Sequence, residues 1–233
     1  MGDLVREHPP VALLDGDEGT RELAELLGAP VLAEGAFPRV GRWEEDLAAS
    51  APLLAAARGA VQHGHRVLVA GSCDLAMATL PALAAAHPGL RVAWLDAHPD
   101  FNTPASSESG FLGGMPLAHA CGLWGDEVTE PLDPRRVHLL GVRDIDDGER
   151  RLLDAHGVRE EPPAEGPVFV HLDLDVLDPA LMPAPFAVPG GWTWDELAAA
   201  LASLPDVVGI EVTGCAAGRA ERVAETLRGA GLV

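Results

Sequence analysis

The sequence predicts an α/β protein in which a parallel β-sheet is covered by helices on both faces. Three observations lead to this fold class. Short apolar runs recur along the 233 residues, Ala- and Leu-rich stretches of helical length separate them, and no linker or internal repeat divides the chain. Strands that alternate with helices are typical of parallel sheets. We therefore expect residues 1–233 to form a single domain.

Six apolar runs have the composition of buried strands. They are VALLD (11–15), RVLVAGS (66–72), RVAWLDAH (91–98), VHLLGVRD (137–144), VFVHLDLD (168–175) and VVGIEVTG (207–214). The predicted helices between them include WEEDLAASAPLLAAARGAVQ (43–62) and WTWDELAAALASL (192–204). Ligands of such sheets bind beyond the carboxyl ends of the strands. The polar residues that end several of these runs should therefore converge in one place.

The composition is that of a globular protein, with 48% hydrophobic residues and no apolar run of membrane-spanning length. A formal net charge of -20, from 36 acidic against 16 basic residues, would repel nucleic acid and anionic lipid. We therefore expect neither nucleic acid nor membrane as a partner. The charged stretch at residues 1–10 lacks the apolar core of a signal peptide, which predicts a cytoplasmic protein.

Acidic residues alternate at the ends of two predicted strands. Asp96, His98 and Asp100 do so in WLDAHPDFNTP, and Asp173 and Asp175 do so in VHLDLDVLDPA. Alternate side chains of an extended segment point to the same face. One interpretation is that these are solvated turn residues. Because so many crowded charges are costly unless neutralised, two such motifs instead favour one or two bound divalent cations, with Mn, Zn, Fe and Mg as candidates.

The same stretches resemble a known family. The segments DAHPDFNTP, SESGFLGGMPL and HLDLDVLDP are similar to the D-A-H-x-D and D-x-D-x-x-D-P signatures of the arginase/agmatinase (ureohydrolase) superfamily, and the resemblance extends from about Val67 to Gly214. It implies a three-layer α/β/α sandwich with a central, mainly parallel sheet. It also implies a homo-oligomer (a trimer or hexamer) and two metal ions, usually manganese, bridged by a hydroxide that attacks a guanidinium carbon.

The resemblance assigns roles to the motif residues. Asp96 and Asp173 would bridge the two metals, and His98 and Asp175 would complete one site. Asp100 would complete the other site and is also the expected catalytic residue, helping to move a proton to the leaving amine. His171, two residues before Asp173, is expected to pack nearby or to support a ligand.

One departure from the family falls on a metal ligand. In AGSCDL, residues 70–75, Cys73 stands where the family has a metal-binding histidine. Cys73 could bind a metal, which zinc or iron would suit better than manganese. Alternatively, Cys73 is a small buried residue beside a weak site, or that site is empty.

Two further departures concern catalysis and substrate binding. Gly113 replaces a histidine implicated in proton transfer, and Gly214 replaces a glutamate that grips the guanidinium group. His119 lies a few residues after Gly113, and we expect it in a helix, as a surface or capping histidine rather than as a replacement. Glu211 matches an acidic position on the strand and not the gripping one.

The loops resemble those of arginases more than those of agmatinases. Asn102, Ser107 and Ser109 lie where arginases hold the substrate α-carboxylate, and Asp146 in GVRDIDDGE (141–149) would bind the α-amino group. Taken alone, these residues could simply form a polar loop and a helix N-cap. In register with the metal motifs, they point to recognition of an amino acid.

The resemblance as a whole implies a metal-dependent hydrolase. Its substrate would be a guanidino or N-hydroxyguanidino amino acid, cleaved to urea or a substituted urea. The missing side chains at 73, 113 and 214 leave two alternatives open. One is a degenerate, non-hydrolytic relative that binds a metal or an amino acid, and the other is a hydrolase of a different amidine or amide.

Overall fold

The computed structural model describes residues 8–36, 42–125, 128 and 130–233, and the sheet is its central element. The prediction of a cytoplasmic protein used residues 1–10, and most of that stretch lies outside the described residues. The described strands are β1 (Val11–Leu14), β2 (Val31–Glu34), β3 (Val67–Ala70), β4 (Arg91–Leu95), β5 (Val137–Leu140), β6 (Val168–Asp173) and β7 (Val207–Thr213). All six predicted strands are confirmed. The additional strand, β2, is short and mostly exposed, so it lacks the signature of a buried strand.

Helices follow most of the strands. They are α1 (Glu18–Leu27), α2 (Trp43–Gln62), α3 (Ala76–Ala86), α4 (Pro116–Ala120), α5 (Asp147–His156), α6 (Trp194–Ser203) and α7 (Ala220–Gly229). The predicted helix at 43–62 is confirmed at both ends, and the one at 192–204 begins two residues later, at Trp194. None of the helices in the described ranges combines the length and apolarity that a bilayer crossing requires.

The sheet is entirely parallel across the described strands, in the order β2-β1-β3-β7-β6-β4-β5. Its two faces form separate cores because strand side chains alternate. On one face, Leu13 packs in a cluster with Leu53 of α2. On the other face, Leu14 packs in a cluster with Leu23 of α1 and Leu227 of α7. The three-layer α/β/α arrangement is thus confirmed, while the single-domain organisation of residues 1–233 stays a prediction.

The topology brings the predicted motifs to one edge of the sheet. Strands β3, β7, β6 and β4 are consecutive neighbours, and all four run in the same direction. Their carboxyl ends therefore lie side by side, as in other open α/β sheets that bind ligands at this edge. The chain leaves β3 and β6 through single 3-10 turns, Cys73–Leu75 and Leu174–Val176, which keep the motif residues at the rim of the sheet.

A capping box at the start of α6 provides a test of local stability. Thr193 Oγ1 accepts a hydrogen bond from Glu196 N, and Glu196 Oε2 accepts one from Thr193 N at 2.8 Å. We expect Thr193→Ala to lower the free energy of unfolding by about 1 kcal/mol, because it leaves a helix N–H without its partner. Chemical denaturation measures this change. Thr193→Ser should retain the stability, and equal losses in both variants would contradict the capping role.

Candidate metal centre

A cleft of about 820 Å³ opens at the carboxyl edge of the sheet. All six side chains that the sequence analysis proposed as metal ligands line it: Cys73, Asp96, His98, Asp100, Asp173 and Asp175. They come from four chain segments, the turns after β3 and β6, the loop after β4 and the end of β6 itself. The structure therefore brings together residues that are up to about 100 positions apart in the chain.

The first group of candidate ligands consists of Asp96, His98 and Asp175. His98 Nδ1 lies 3.1 Å from Asp175 Oδ2 and 3.4 Å from Asp96 Oδ1. Backbone amides hold both carboxylates in place, since Asp175 Oδ1 accepts from Ala97 N at 3.0 Å and Asp96 Oδ1 accepts from His98 N at 2.7 Å. One ligand atom from each residue lies within 4.8 Å of the others, a spacing that one cation can span.

The second group consists of Cys73, Asp96 and His171, which meet the same 4.8 Å criterion. Cys73 Sγ lies 3.9 Å from Asp96 Oδ2, and it donates to Asp173 Oδ2 at 2.8 Å. His171 Nε2 lies 4.0 Å from Asp96 Oδ2. Asp96 belongs to both groups, consistent with a bridging position. The sequence analysis gave His171 a packing or supporting role, and its position two residues before Asp173 on the same strand face is what brings it to this group.

Burial and mutual repulsion act on these carboxylates. The pKa of Asp96 is raised by burial and then by Asp175 and Asp100, and the pKa of Asp173 is raised by burial and by Asp175. Burial likewise raises the pKa of the Cys73 thiol, as do Asp173 and Asp96. Divalent cations would replace the protons that such a cluster otherwise retains. The donor set therefore fits the two metal ions that the motifs imply.

His98 and Asp175 form the charged pair of the cluster. Burial opposes protonation of His98, but its contacts with Asp175 and Asp96 outweigh burial and raise its pKa to about 11. Burial also opposes ionisation of Asp175, yet the hydrogen bond from His98 and that from Ala97 N lower its pKa. The imidazolium of His98 thus partly neutralises the cluster. A metal cation that binds His98 would displace its proton and supply this positive charge instead.

Asp100 lies beside the two groups and belongs to neither of them. Its side chain is buried, and its backbone has the left-handed φ of 48°, which a residue other than glycine rarely adopts. Burial raises the pKa of Asp100, His98 opposes this, and Glu149 adds to the increase. Its predicted roles in metal binding and proton transfer stay predictions.

Three of the four proposed substrate-binding residues line the cleft. Asn102, Ser109 and Asp146 line it, and Asn102 Nδ2 donates to Asp146 Oδ2 at 2.8 Å. Asp146 is also the N-cap of α5, because its Oδ1 accepts from Glu149 N at 2.7 Å. Ser107 is not part of the lining, but its Oγ lies 3.4 Å from that of Ser109. The helix-cap interpretation of Asp146 is therefore correct, and it leaves one carboxylate oxygen facing Asn102.

A side chain at either of the two glycines that depart from the family would require a neighbouring side chain to shift. Gly214 has a φ of 71°, and a Cβ there would lie 2.6 Å from Asp173 Oδ1. A Cβ on Gly113 would lie 2.5 Å from the ring of Phe111. The expectation that His119 lies on a helix surface is wrong, because it is buried in α4 with its ring against Trp124. Burial, assisted by Arg58, lowers the pKa of His119 to about 4, and His119 does not line the cleft.

The sequence as a whole matches a known protein family. The model of the Arginase family matches residues 43–160 and 158–230, which together make up most of the chain. This chain belongs to the arginase family. The resemblance first seen in the two acidic motifs is thus confirmed over α2 to α7.

Two curated relatives show how far the similarity to arginase-family proteins extends. N(omega)-hydroxy-L-arginine amidinohydrolase of Streptomyces lavendulae is 41% identical over 63% of this chain and 59% of its own length. An arginase of Glaciozyma antarctica is 30% identical over 74% of this chain and 61% of its own length. The chain therefore matches less than two thirds of the length of these relatives.

The fold of the chain is that of solved arginases. It superposes on the native arginase of Bacillus caldovelox with a TM-score of 0.76, covering 96% of this chain and 97% of that one. Because the two sequences are 24% identical, this similarity shows the fold alone.

Because Asp96 belongs to both groups of candidate ligands, replacing it should have opposite effects on the stability of the fold with and without metal. We expect Asp96→Asn to stabilise the metal-free protein, because it removes an ionisable carboxyl group that has to be either charged among buried carboxylates or kept protonated. Mn²⁺ or Zn²⁺ at 100 times its Kd should raise the free energy of unfolding of the wild type by about 3 kcal/mol. The same metal should raise that of the variant much less. Unfolding by urea with a chelator or with added metal measures both effects.

Asp154→Asn is the matched control, since Asp154 is an exposed carboxylate on α5. It should leave both the metal-free stability and the gain from metal at wild-type values. A full metal-dependent gain in Asp96→Asn would contradict the shared-ligand role.

Proposed function

We propose that this chain is a metal-dependent hydrolase of the arginase type, acting on linear amidines. Its substrate is a guanidino or N-hydroxyguanidino amino acid, and its product is urea or a substituted urea. The observation that carries the proposal is the pair of ligand groups sharing Asp96 at the carboxyl edge of an arginase-family sheet. The similarity to a relative named for N(omega)-hydroxy-L-arginine supports an amino-acid substrate.

Two divalent cations belong to this proposal, with manganese, zinc and iron as candidates. Asp96, His98 and Asp175 would hold one cation, and Cys73, Asp96, Asp100 and Asp173 are candidates for the other. A pair of such cations supplies a strongly activated water at neutral pH. The sulfur of Cys73 makes zinc or iron better suited to its site than manganese.

The charge of the cleft favours a cationic substrate. Asp15, Asp17, Asp144 and Asp146 line it in addition to the candidate metal ligands. A cleft lined by one sign of charge attracts the opposite charge, here a guanidinium and an α-amino group. Since Gly214 offers no carboxylate, these acidic residues are left to balance the guanidinium charge. Asp146 would bind the α-amino group, and Asn102, Ser107 and Ser109 would bind the α-carboxylate.

Asp100 would carry the proton that the reaction must move. Hydrolysis adds water to the guanidinium carbon and breaks the bond from that carbon to the substituted nitrogen. Both protons of the water end on the leaving nitrogen, which is released as an ammonium group, and one of them has to be carried there as the bond breaks. The buried carboxyl of Asp100, with its raised pKa, can accept a proton and release it without leaving the cleft.

The proposed assembly is a homo-oligomer, a trimer or hexamer as in the resembled family. The edge strand β2 exposes Val31 and Leu32, which offers apolar surface for contacts between copies.

The cytoplasmic location stays a prediction. The chain has 36 acidic residues and only 16 basic ones, which supports the expectation that nucleic acid and anionic membranes are not partners.

Product analysis tests the proposed reaction. Manganese- and zinc-loaded protein is incubated with arginine, N-hydroxyarginine and agmatine, which lacks the α-carboxylate. We expect urea or hydroxyurea from one of the two amino acids and little from agmatine. No urea product from any substrate, with two ions bound, would reject the proposed reaction in favour of its alternatives, a non-hydrolytic relative or a hydrolase of a different amidine or amide. Turnover of agmatine alone would reject the amino-acid specificity.

Ser109 provides a test of carboxylate recognition. We expect Ser109→Ala to raise KM at least about tenfold with little change in kcat, because a hydrogen bond to a charged group is worth about 1.5–3 kcal/mol. Ser203→Ala is the control, since Ser203 is exposed on α6. Steady-state kinetics with the preferred amino acid give both constants. A fall in kcat with an unchanged KM would contradict a binding role for Ser109.

A further inference from the structure

His171 is a buried histidine whose outward ring nitrogen has no hydrogen-bond partner. The side chain is fully buried on β6, and its ring stacks on that of Trp94 with centroids 3.5 Å apart and planes 7° apart. His171 Nε2 is inaccessible to solvent and makes no hydrogen bond. Its nearest charged oxygen, Asp96 Oδ2, is 4.0 Å away, which is too far for a hydrogen bond. A native structure rarely leaves such an atom without a role.

The other ring nitrogen of His171 is firmly held. Nδ1 lies 2.7 Å from Glu211 Oε1, and Thr79 Oγ1 donates to Glu211 Oε2 at 2.6 Å. A carboxylate acceptor keeps the proton on Nδ1, so Nε2 presents its lone pair. Metal-binding histidines are typically oriented in this way, with a carboxylate on the nitrogen that does not bind the metal.

The lone pair of His171 faces the part of the cluster that contains Cys73. Cys73 Sγ, one Asp96 oxygen and a His171 ring nitrogen all lie within 4.8 Å of one another. The resembled family has a metal-binding histidine at the position where this chain has Cys73. An imidazole is nevertheless present at this site, and it comes from β6 instead of the turn after β3.

We propose that His171 Nε2 is a metal ligand and that, with Cys73 Sγ and Asp96, it forms a zinc-selective site. This inference rests on the proposed two-metal centre and adds to it a ligand and a selectivity. Sulfur, imidazole and carboxylate together are the donors typical of zinc, whereas manganese prefers sites rich in oxygen. The neighbouring group of Asp96, His98 and Asp175 has two carboxylates for one imidazole and remains suited to manganese.

Cobalt substitution tests the ligand set without measuring activity. Metal-free protein is titrated with Co²⁺, and we expect two ions per chain and a sulfur-to-cobalt charge-transfer band in the near ultraviolet. Cys73→Ser should lose the band. His171→Gln should shift the visible ligand-field bands and weaken the binding of zinc at this site at least about tenfold, measured against a competing chelator.

His119→Gln is the matched control. His119 is also buried and also has a ring nitrogen without a hydrogen-bond partner, but it belongs to neither of the two groups of candidate ligands. It should keep both ions, the spectrum and the zinc affinity. Unchanged spectrum and zinc affinity in His171→Gln would overturn the proposal.

A diffraction measurement on the wild type covers the case in which His171→Gln does not fold. Anomalous scattering at the zinc edge should place an ion about 2.1 Å from His171 Nε2 and about 2.3 Å from Cys73 Sγ. An ion beyond about 3 Å from His171 Nε2 would reject that residue as a ligand. Glu211→Gln, which leaves His171 in place, should weaken zinc binding by about 10 to 100 times.

Cys73→His tests the selectivity. Replacing sulfur with nitrogen should retain the ion and shift the preference from zinc towards manganese. An unchanged preference would reject the role of sulfur in the selectivity.

The failures of the two proposals are distinguishable. If urea is released but His171 lies far from every bound ion, His171 is rejected as a ligand and the proposed function stands. A zinc ion on His171 and Cys73 without any urea product would reject the function and leave the ligand intact.

Discussion

The crowding of buried carboxylates at one edge of the sheet is the constraint on which the rest of the site depends. Asp96, Asp100 and Asp173 all have raised pKa values, with burial as the largest cause. Neighbouring groups reduce this cost only in part: backbone amides of the motif loops donate to Asp96 and Asp175, and His98 contacts both. Without cations, the cluster has to keep protons or lose stability. Bound cations would therefore stabilise the folded shape of this edge.

The departures from the family form a connected set. Cys73 lies where a histidine is expected, and His171, held by Glu211, points an unpartnered nitrogen towards it. Trp94 stacks on His171 and also donates to the carbonyl of His98, so one side chain supports both candidate sites. Under the proposed ligand set, β6 would supply the imidazole that the family has at position 73, and the sulfur of Cys73 would be an additional donor.

The two glycines that depart from the family lie against other residues of the cleft. Asp173 and Phe111 occupy the space that side chains at Gly214 and Gly113 would need. The acidic rim of the cleft is retained, and it is compatible with the cationic substrates of the proposed reaction. Membership in the arginase family explains the fold and the two motifs. Under the proposed function, the choice of substrate would depend on loop residues such as Ser109 and Asp146, because loops can differ between proteins that share the same sheet.

The sequence by itself determined the α/β class, six of the strands and the identity of the acidic cluster, because alternation and apolar runs are local signals. It missed β2, which has only four residues and is mostly exposed. It also placed His119 on a surface and gave His171 only a packing or supporting role. Whether a histidine is buried, and which atoms face its two nitrogens, depends on strands that are distant in the chain. Only the tertiary structure decided that Glu211 of β7 would hold one nitrogen of His171 while Cys73 and Asp96 faced the other.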